Sequence, residues 1–135
     1  DTPARFAALL ERPGAESYLI VRNEDDAPAG TATLGNVVLG HLRGAYLGYE
    51  AFVPFDGRGY MTEGLALVLR HAFGTRGLHR VEANVQPENE RSIALVERLG
   101  FRREGYSPRY LKVGGRWRDH VRYAMLADEF GPTRR

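Results

Sequence analysis

The segment from Val53 to Glu63 carries the residue types of an anion-binding turn. It reads Val-Pro-Phe-Asp-Gly-Arg-Gly-Tyr-Met-Thr-Glu and links an apolar strand pattern to an amphipathic helix pattern. Gly57 and Gly59 allow the chain to turn and allow a ligand to approach main-chain N–H groups. The first N–H groups of the following helix favour phosphate, and Arg58 adds a cation. The segment predicts a pyrophosphate site; the competing interpretation is a turn that needs glycine only for its shape.

Metal and cysteine chemistry are not indicated by the remaining residues. The chain has no cysteine, which excludes disulfides, a covalent cysteine mechanism and thiolate metal sites. Its four histidines, at positions 41, 71, 79 and 120, lack the i, i+4 spacing that is typical of a zinc site. We therefore predict no metal.

The composition predicts a single cytoplasmic domain that spans residues 1–135. A hydrophobic fraction of 43% in 135 residues suits one core, and no apolar run is long enough to span a bilayer. Basic and acidic residues are interspersed, with a formal net charge of +2, so nucleic-acid binding is not expected. The weakest alternative is an arginine-rich RNA-binding domain.

The first half of the chain predicts strands that lead into the glycine turn. Residues 4–12 have the composition of the end of a helix, which Pro13 and Gly14 terminate. Residues 18–21 and 30–39 predict a strand pair around the polar loop 23–28. Residues 45–53 alternate, and both faces are largely apolar, so this strand is predicted to be central.

The second half predicts two helices and three strands. Helical spacing covers about residues 61–74 and 89–99, with Gly100 as the C-cap of the second helix. Strands are predicted at 80–85, 101–113 and 119–126, and Gly114-Gly115 suits a tight hairpin between the last two. Helical crossovers that follow hairpin-like strands predict a mixed, mostly antiparallel α/β sheet flanked by helices.

Several motifs in a fixed order resemble those of the GNAT acetyltransferase superfamily. They are Gly48-Tyr49, the turn from Gly57 to Glu63, Val85-Gln86-Pro87-Glu88-Asn89-Glu90-Arg91-Ser92 and Leu99-Gly100-Phe101. The later segments Glu104-Gly105-Tyr106, Tyr110-Leu111 and Gly115-Arg116-Trp117-Arg118-Asp119-His120 are similar to the branch that acetylates the N-terminal alanine of ribosomal proteins. The likeness runs from about residue 5 to the C-terminus. An acyl-CoA N-acyltransferase fold is therefore expected.

The resemblance implies that acetyl-CoA is the co-substrate and that the Gly57–Met61 turn binds its pyrophosphate. The pantetheine arm would lie between the strands that contain Glu50 and Asn84. The implied cofactor-binding residues are Phe52, Val53, Asp56, Gly57, Arg58, Gly59, Tyr60, Met61, Thr62, Asn84, Asn89 and Ser92. Asp56 and Met61 depart from the usual family pattern, which has glutamine or arginine and glycine or alanine there; the backbone donors remain.

The resemblance also implies direct attack of a neutral amine on the thioester in a ternary complex. Main-chain N–H groups near Phe52 and Val53 would stabilise the developing oxyanion. Many relatives place a tyrosine at the position of Val96 to protonate the thiolate, so Ser92 is the predicted proton donor here, with Tyr110 as the alternative. The competing role for Ser92 is a helix N-terminal hydroxyl that bonds the backbone.

The general base is open, because some relatives carry glutamate where this chain has Asn84. Glu50 and Glu82 share a strand face with the predicted channel, and either could receive the proton through water. We name Glu50 as the candidate base. The competing interpretation of both is an exposed or paired strand carboxylate.

The expected function is acetylation of the N-terminal α-amine of a ribosomal protein. The alternatives are acetylation of a small amine, such as an antibiotic or a polyamine, and a non-catalytic CoA-binding module. The family's N-terminal strand and first helix are not recognisable, so we expect that a segment flanking the substrate groove is missing. A monomer or homodimer without membrane partners is expected.

Overall fold

The computed structural model describes residues 3–52 and 59–130. Within these ranges a seven-stranded sheet has the order β1-β2-β3-β4-β5-β7-β6. The strands are β1 (Ala4–Arg12), β2 (Ala15–Arg22), β3 (Pro28–Val38), β4 (Gly44–Ala51), β5 (Arg80–Val85), β6 (Arg102–Val113) and β7 (Arg116–Leu126). The helices are α1 (Tyr60–Arg70), α2 (Glu90–Leu99) and α3 (Ala127–Phe130), and a π-helical turn (His71–Thr75) continues α1. The predicted mixed α/β sheet is confirmed.

The centre of the sheet contains a gap between β4 and β5. These two strands are parallel neighbours, but they pair only at Gly44/Arg80, Ala45/Val81 and Tyr46/Glu82. Beyond these pairs, β4 continues to Ala51 and β5 continues to Val85, but the two strands no longer pair with each other. The other neighbouring strands of the described sheet pair antiparallel. Two strand ends therefore diverge in the middle of the sheet.

The prediction of a helix over residues 4–12 is wrong. These residues form β1, which pairs with β2 from Ala4/Arg22 to Arg12/Ala15. Pro13 and Gly14 form the turn of this hairpin, with Gly14 at a φ of 78°. The ring of Phe6 meets the ring of Tyr18 edge-on at 5.2 Å. Pairing with β2 and this packing outweigh the helix propensity of the alanines and leucines, which is a weak preference.

One face of the sheet is covered by α1 and α2. Val81, Ala83 and Val85 pair with Met125, Tyr123 and Val121, and these six side chains form part of the buried core together with Val96 and Leu99 of α2. α1 lies close to β2, since a Cβ on Gly64 would clash with the Ile20 side chain. No helix in the described ranges is long and apolar enough to cross a membrane.

The other predicted elements are confirmed with small shifts of their ends. The central position of β4 between β3 and β5 is confirmed. Asn89 caps α2 at its N-terminus, and Gly100 ends it at a φ of 101°. The β6–β7 hairpin turns at Gly114 and Gly115, which have φ values of 60° and 81°. Positive φ at both positions explains the paired glycines.

An ion-pair network fixes the edge of the sheet on the face opposite to α1 and α2. The Arg80 guanidinium donates to both Glu104 oxygens and to Glu82 Oε2, the latter at 2.8 Å. Arg102 donates to Glu104 Oε2 at 2.8 Å and to Glu129 Oε2 at 3.1 Å. The hydrogen bonds from Arg80 and Arg102 lower the pKa of Glu104 from its ordinary value of 4.5 to about 2.

Glu104→Gln is expected to lower the free energy of unfolding at pH 7 by about 1 to 2 kcal/mol, after discounting for screening by solvent. A carboxylate with a lowered pKa stabilises the fold above its unfolded pKa and loses this contribution as pH falls through its folded pKa. The difference between the two proteins should therefore shrink between pH 4.5 and pH 2. Urea unfolding at several pH values measures it. Glu24→Gln, in an exposed loop, is the control, and a pH-independent difference for Glu104→Gln would contradict the assignment.

Candidate active site

A cleft of about 1080 Å³ opens where β4 and β5 separate. On the helix-covered side it is lined by residues of α1 and α2, including Met61, Ser92 and Arg98. On the opposite side it is lined by Leu111, Val113 and His120 of the β6–β7 hairpin. Residues 47–51 of β4 and 83–86 around the end of β5 form its two edges. The cleft thus passes between the strands and reaches both faces of the sheet.

The main chain of β4 offers hydrogen-bond groups to this gap. The Phe52 N–H donates to Ala29 O at 2.8 Å, so it points toward β3 and away from the cleft. Bonded groups recur at every second residue of an antiparallel pair, which turns the N–H groups of Tyr49 and Ala51 toward the gap. Of the predicted N–H groups near Phe52 and Val53, that of Phe52 itself is therefore engaged by β3. Val53, the other predicted donor, lies outside the described residues.

Ser92 meets a tyrosine hydroxyl across the cleft. Its Oγ forms a hydrogen bond with the hydroxyl of Tyr49, which projects from β4 on the helix-covered side. Burial raises the pKa of Tyr49, and the bond to Ser92 opposes this shift. Either hydroxyl can donate to the other, and both residues line the cleft. This pair can carry a proton to an acceptor in the cleft.

Two asparagines of the predicted cofactor set also line the cleft. Asn89 Oδ1 accepts a hydrogen bond of 3.1 Å from the Ser92 N–H and so caps α2. Asn84 Oδ1 is buried and has no hydrogen-bond partner among the described residues. A buried acceptor without a donor is costly, and a ligand that presents an N–H would satisfy it.

The structure separates the other predicted catalytic residues. Glu50 lines the cleft and is exposed. Glu82 is absent from the cleft wall and pairs with Arg80 at 2.8 Å, as a structural carboxylate does. Tyr110 lies against Tyr46 and against the His120 ring, 6.2 Å between ring centres, on the sheet face opposite to Ser92. Tyr110 is absent from the cleft wall, whereas Ser92 lines it.

The N-terminus of α1 forms the end of the cleft. Gly59 adopts a left-handed conformation, with a φ of 86°, and lines the cleft together with Met61 and Thr62. Tyr60 contacts Arg22 instead, with 3.3 Å between Arg22 Nη1 and the Tyr60 hydroxyl. The predicted residues Val53, Asp56, Gly57 and Arg58 lie outside the described residues. Within the described ranges no group of three histidine, aspartate or glutamate residues is placed to hold a metal ion.

Two residues of the cleft wall have no catalytic role in the predictions from the sequence. Tyr49 was predicted only to lie in a strand, although Gly48-Tyr49 is one of the motifs that carried the resemblance. His120 was considered there as one of four scattered histidines and as the last residue of a motif that carried the resemblance. In the structure it is 3% exposed, and its Nδ1 lies 2.9 Å from Arg118 O. Successive residues of a strand point to opposite faces, so the predicted strand already placed His120 on the face opposite to Val121. This alternation was the signal in the sequence that could have found His120.

The donor and acceptor set of the cleft fits coenzyme A. Asn84 Oδ1 has no hydrogen-bond donor among the described residues, and an amide N–H group of a pantetheine arm would supply one. The N–H groups of Tyr49 and Ala51 have no β5 partner on the gap side, because within the described residues β4 and β5 stop pairing at Tyr46 and Glu82. The first N–H groups of α1, an 11-residue helix, have no partner within the helix and favour phosphate. An elongated ligand with amides and a diphosphate matches this arrangement.

Comparisons with known proteins identify the family of the chain. Residues 2–102 match the family model for the acetyltransferase (GNAT) domain. The [Ribosomal protein uS5]-alanine N-acetyltransferase of Escherichia coli (strain K12) is 42% identical over 134 residues, which are 97% of this chain and 69% of the relative. RimJ of Mycobacterium smegmatis, solved in complex with CoA-disulfide, superposes with a TM-score of 0.81 at 42% identity over 86% of this chain.

A second solved relative has the same fold. The ribosomal-protein-S5-alanine acetyltransferase of Vibrio fischeri superposes with a TM-score of 0.79 at 27% identity over 87% of this chain. This chain spans 55% of the M. smegmatis chain and 64% of the V. fischeri chain. The family model, the identity to the E. coli enzyme and the divided sheet with its cleft lead to one assignment. The chain belongs to the GNAT family of acetyltransferases.

Proposed function

We propose that this chain transfers the acetyl group of acetyl-CoA to the N-terminal α-amine of a protein, by direct attack within a ternary complex. The observation that carries the proposal is the cleft between β4 and β5, which is reached from both faces of the sheet. Two substrates can therefore meet in it from opposite sides. Holding the two reactants in line lowers the barrier to direct transfer.

The residues of the cleft divide the chemical tasks. Bound acetyl-CoA would supply an activated carbonyl and a thiolate leaving group. One of the two N–H groups that face the gap, that of Tyr49 or that of Ala51, would hold the carbonyl oxygen as it gains charge. The two groups are about 6.6 Å apart along the strand, so they cannot both reach one oxygen atom. Ser92, hydrogen-bonded to Tyr49, would supply the proton to the leaving group. Asn84, Asn89 and the N-terminus of α1 would hold the cofactor.

The identity of the acceptor amine rests on the relatives. The E. coli enzyme, 42% identical to this chain, acts on an alanine of ribosomal protein uS5. The face from which an acceptor would approach carries apolar side chains at Leu111 and Val113, which are 38% and 40% exposed. A main chain that starts with a small residue can lie on such a surface. We therefore expect peptides with N-terminal alanine to be acetylated.

A panel of amines tests this function. The chain is incubated with acetyl-CoA and with peptides that begin with alanine, serine or threonine, and thiol release and peptide mass are followed. The matched control is the same alanine peptide with a blocked N-terminus, which should not react. Acetylation of spermidine or an aminoglycoside alone would contradict the protein acceptor. Thermal stabilisation by CoA without thiol release for any amine would identify a non-catalytic CoA-binding module.

A further inference from the structure

His120 occupies the wall of the cleft on the side opposite to the Ser92–Tyr49 pair. It projects from β7 on the face that also carries Asn84 and Tyr46, because Asn84 pairs with Arg122 and Tyr46 pairs with Glu82. It lines the cleft and is 3% exposed. The cleft therefore has a hydroxyl pair on its helix-covered side and an imidazole on its other side.

The hydrogen bond of His120 fixes which nitrogen can take up a proton. Nδ1 lies 2.9 Å from the Arg118 carbonyl oxygen, which can only accept. Nδ1 therefore carries the proton, and in the neutral ring Nε2 has the free lone pair. No described residue forms a hydrogen bond with Nε2. The ring is held in place by the Tyr110 ring, with 6.2 Å between the centres.

We infer that His120 is the general base of the reaction and accepts the proton of the attacking amine at Nε2. This inference rests on the proposed acetyl transfer. The amine nitrogen bonds to the acetyl carbon, the carbon–sulfur bond breaks, and the nitrogen loses one proton to Nε2. The sulfur gains one proton from Ser92 on the other side. Proton exchange with solvent restores both residues, so the step needs no further reactant.

Other titratable groups near His120 are less suited to this role. Asp119 precedes it, but its carboxylate is engaged by the Tyr106 hydroxyl at 2.6 Å and by the Arg109 N–H at 2.8 Å. Tyr110 interacts with the Tyr46 hydroxyl, and burial and this contact raise the pKa of Tyr46. Glu50, on the facing strand, lines the same cleft but is exposed. Its carboxylate is solvated, whereas Nε2 is enclosed.

Two substitutions distinguish a catalytic base at position 120 from a histidine that has only a structural role. In His120→Asn the amide nitrogen stands near the position of Nδ1 and can still donate to Arg118 O, but Nε2 is lost. In His120→Gln the amide stands near Nε2 and cannot take up a proton. Both variants are expected to lose about 100-fold in kcat/KM, and the rise of kcat/KM at the acidic end of the pH profile should become shallower than in the wild type, because only the amine substrate then has to lose a proton. CoA should still stabilise both variants.

The outcomes distinguish this inference from the proposed function. Exposed His41, replaced by glutamine, is the control and should change nothing. If the His120→Asn variant had the wild-type kcat and pH profile, His120 would serve only to bind the Arg118 carbonyl, and the inference would be overturned. Wild-type protein that acetylates no amine would instead contradict the proposed function. Long-range ¹H–¹⁵N NMR of the wild-type protein checks the tautomer without any variant: Nδ1–H is expected, and Nε2–H would overturn the inference.

Discussion

Gly59→Glu is expected to weaken CoA binding by about 100-fold or more, because a carboxylate would stand where the diphosphate is proposed to lie. Gly59 has a φ of 86° at the N-terminus of α1 and lines the cleft. A Cβ at this position would meet no atom within 4 Å among the described residues, so a side chain has space there, although the positive φ strains the backbone of any residue other than glycine. Titration calorimetry with CoA gives the dissociation constant.

Gly59→Gln is the matched control for this prediction. Both side chains impose the same left-handed backbone strain and nearly the same volume, so the difference between the variants isolates the charge. The glutamine variant is expected to bind CoA much more tightly than the glutamate variant at low ionic strength, and added salt should reduce the difference. Equal dissociation constants for the two variants would place the diphosphate away from the N-terminus of α1.

Ser92→Ala is expected to lower kcat by about 100-fold while the dissociation constant of CoA stays near the wild-type value. The hydroxyl of Ser92 bonds the hydroxyl of Tyr49, and its backbone N–H is capped separately by Asn89. The cap depends on main-chain atoms of residue 92, so alanine preserves the start of α2. Single-turnover acetylation of an alanine-starting peptide measures the chemical step.

Tyr49→Phe distinguishes the two hydroxyls. If Ser92 gives the proton directly and Tyr49 orients it, the phenylalanine variant should lose less activity than the alanine variant. If Tyr49 is the donor, the order is reversed. Full activity in both variants would show that the pair only packs α2 against β4, and the proton donor would have to be sought elsewhere in the cleft.

Much of the fold could be predicted because local signals agreed with tertiary structure. Gly100, Gly114 and Gly115 adopt the positive φ angles that their positions predicted. Strict alternation in Arg80–Val85 predicted β5 with correct ends. Residues 4–12 could not be predicted from local composition, because their alanines and leucines favour a helix. Their partner is β2, and that pairing is visible only in three dimensions.

Only part of the candidate site could be predicted, because the sequence does not show which strands lie next to each other. The resemblance identified Ser92, Asn84 and Asn89, and all three line the cleft. The roles of Tyr49 and His120 depend on which strand ends diverge and on where β7 lies beside β5. No periodicity encodes these relations. The sequence indicated N–H groups near Phe52 and Val53 but not which of them face the gap, because the acceptor of the Phe52 N–H, the Ala29 carbonyl, lies on another strand.

The central claim is that the gap between β4 and β5 holds coenzyme A. An NMR titration with CoA tests it most directly, through the backbone N–H signals of Tyr49 and Ala51 and the side-chain amide of Asn84. These signals are expected to shift together, and the two backbone N–H groups are expected to exchange more slowly with solvent. Saturable CoA binding that leaves all three signals unchanged would contradict it.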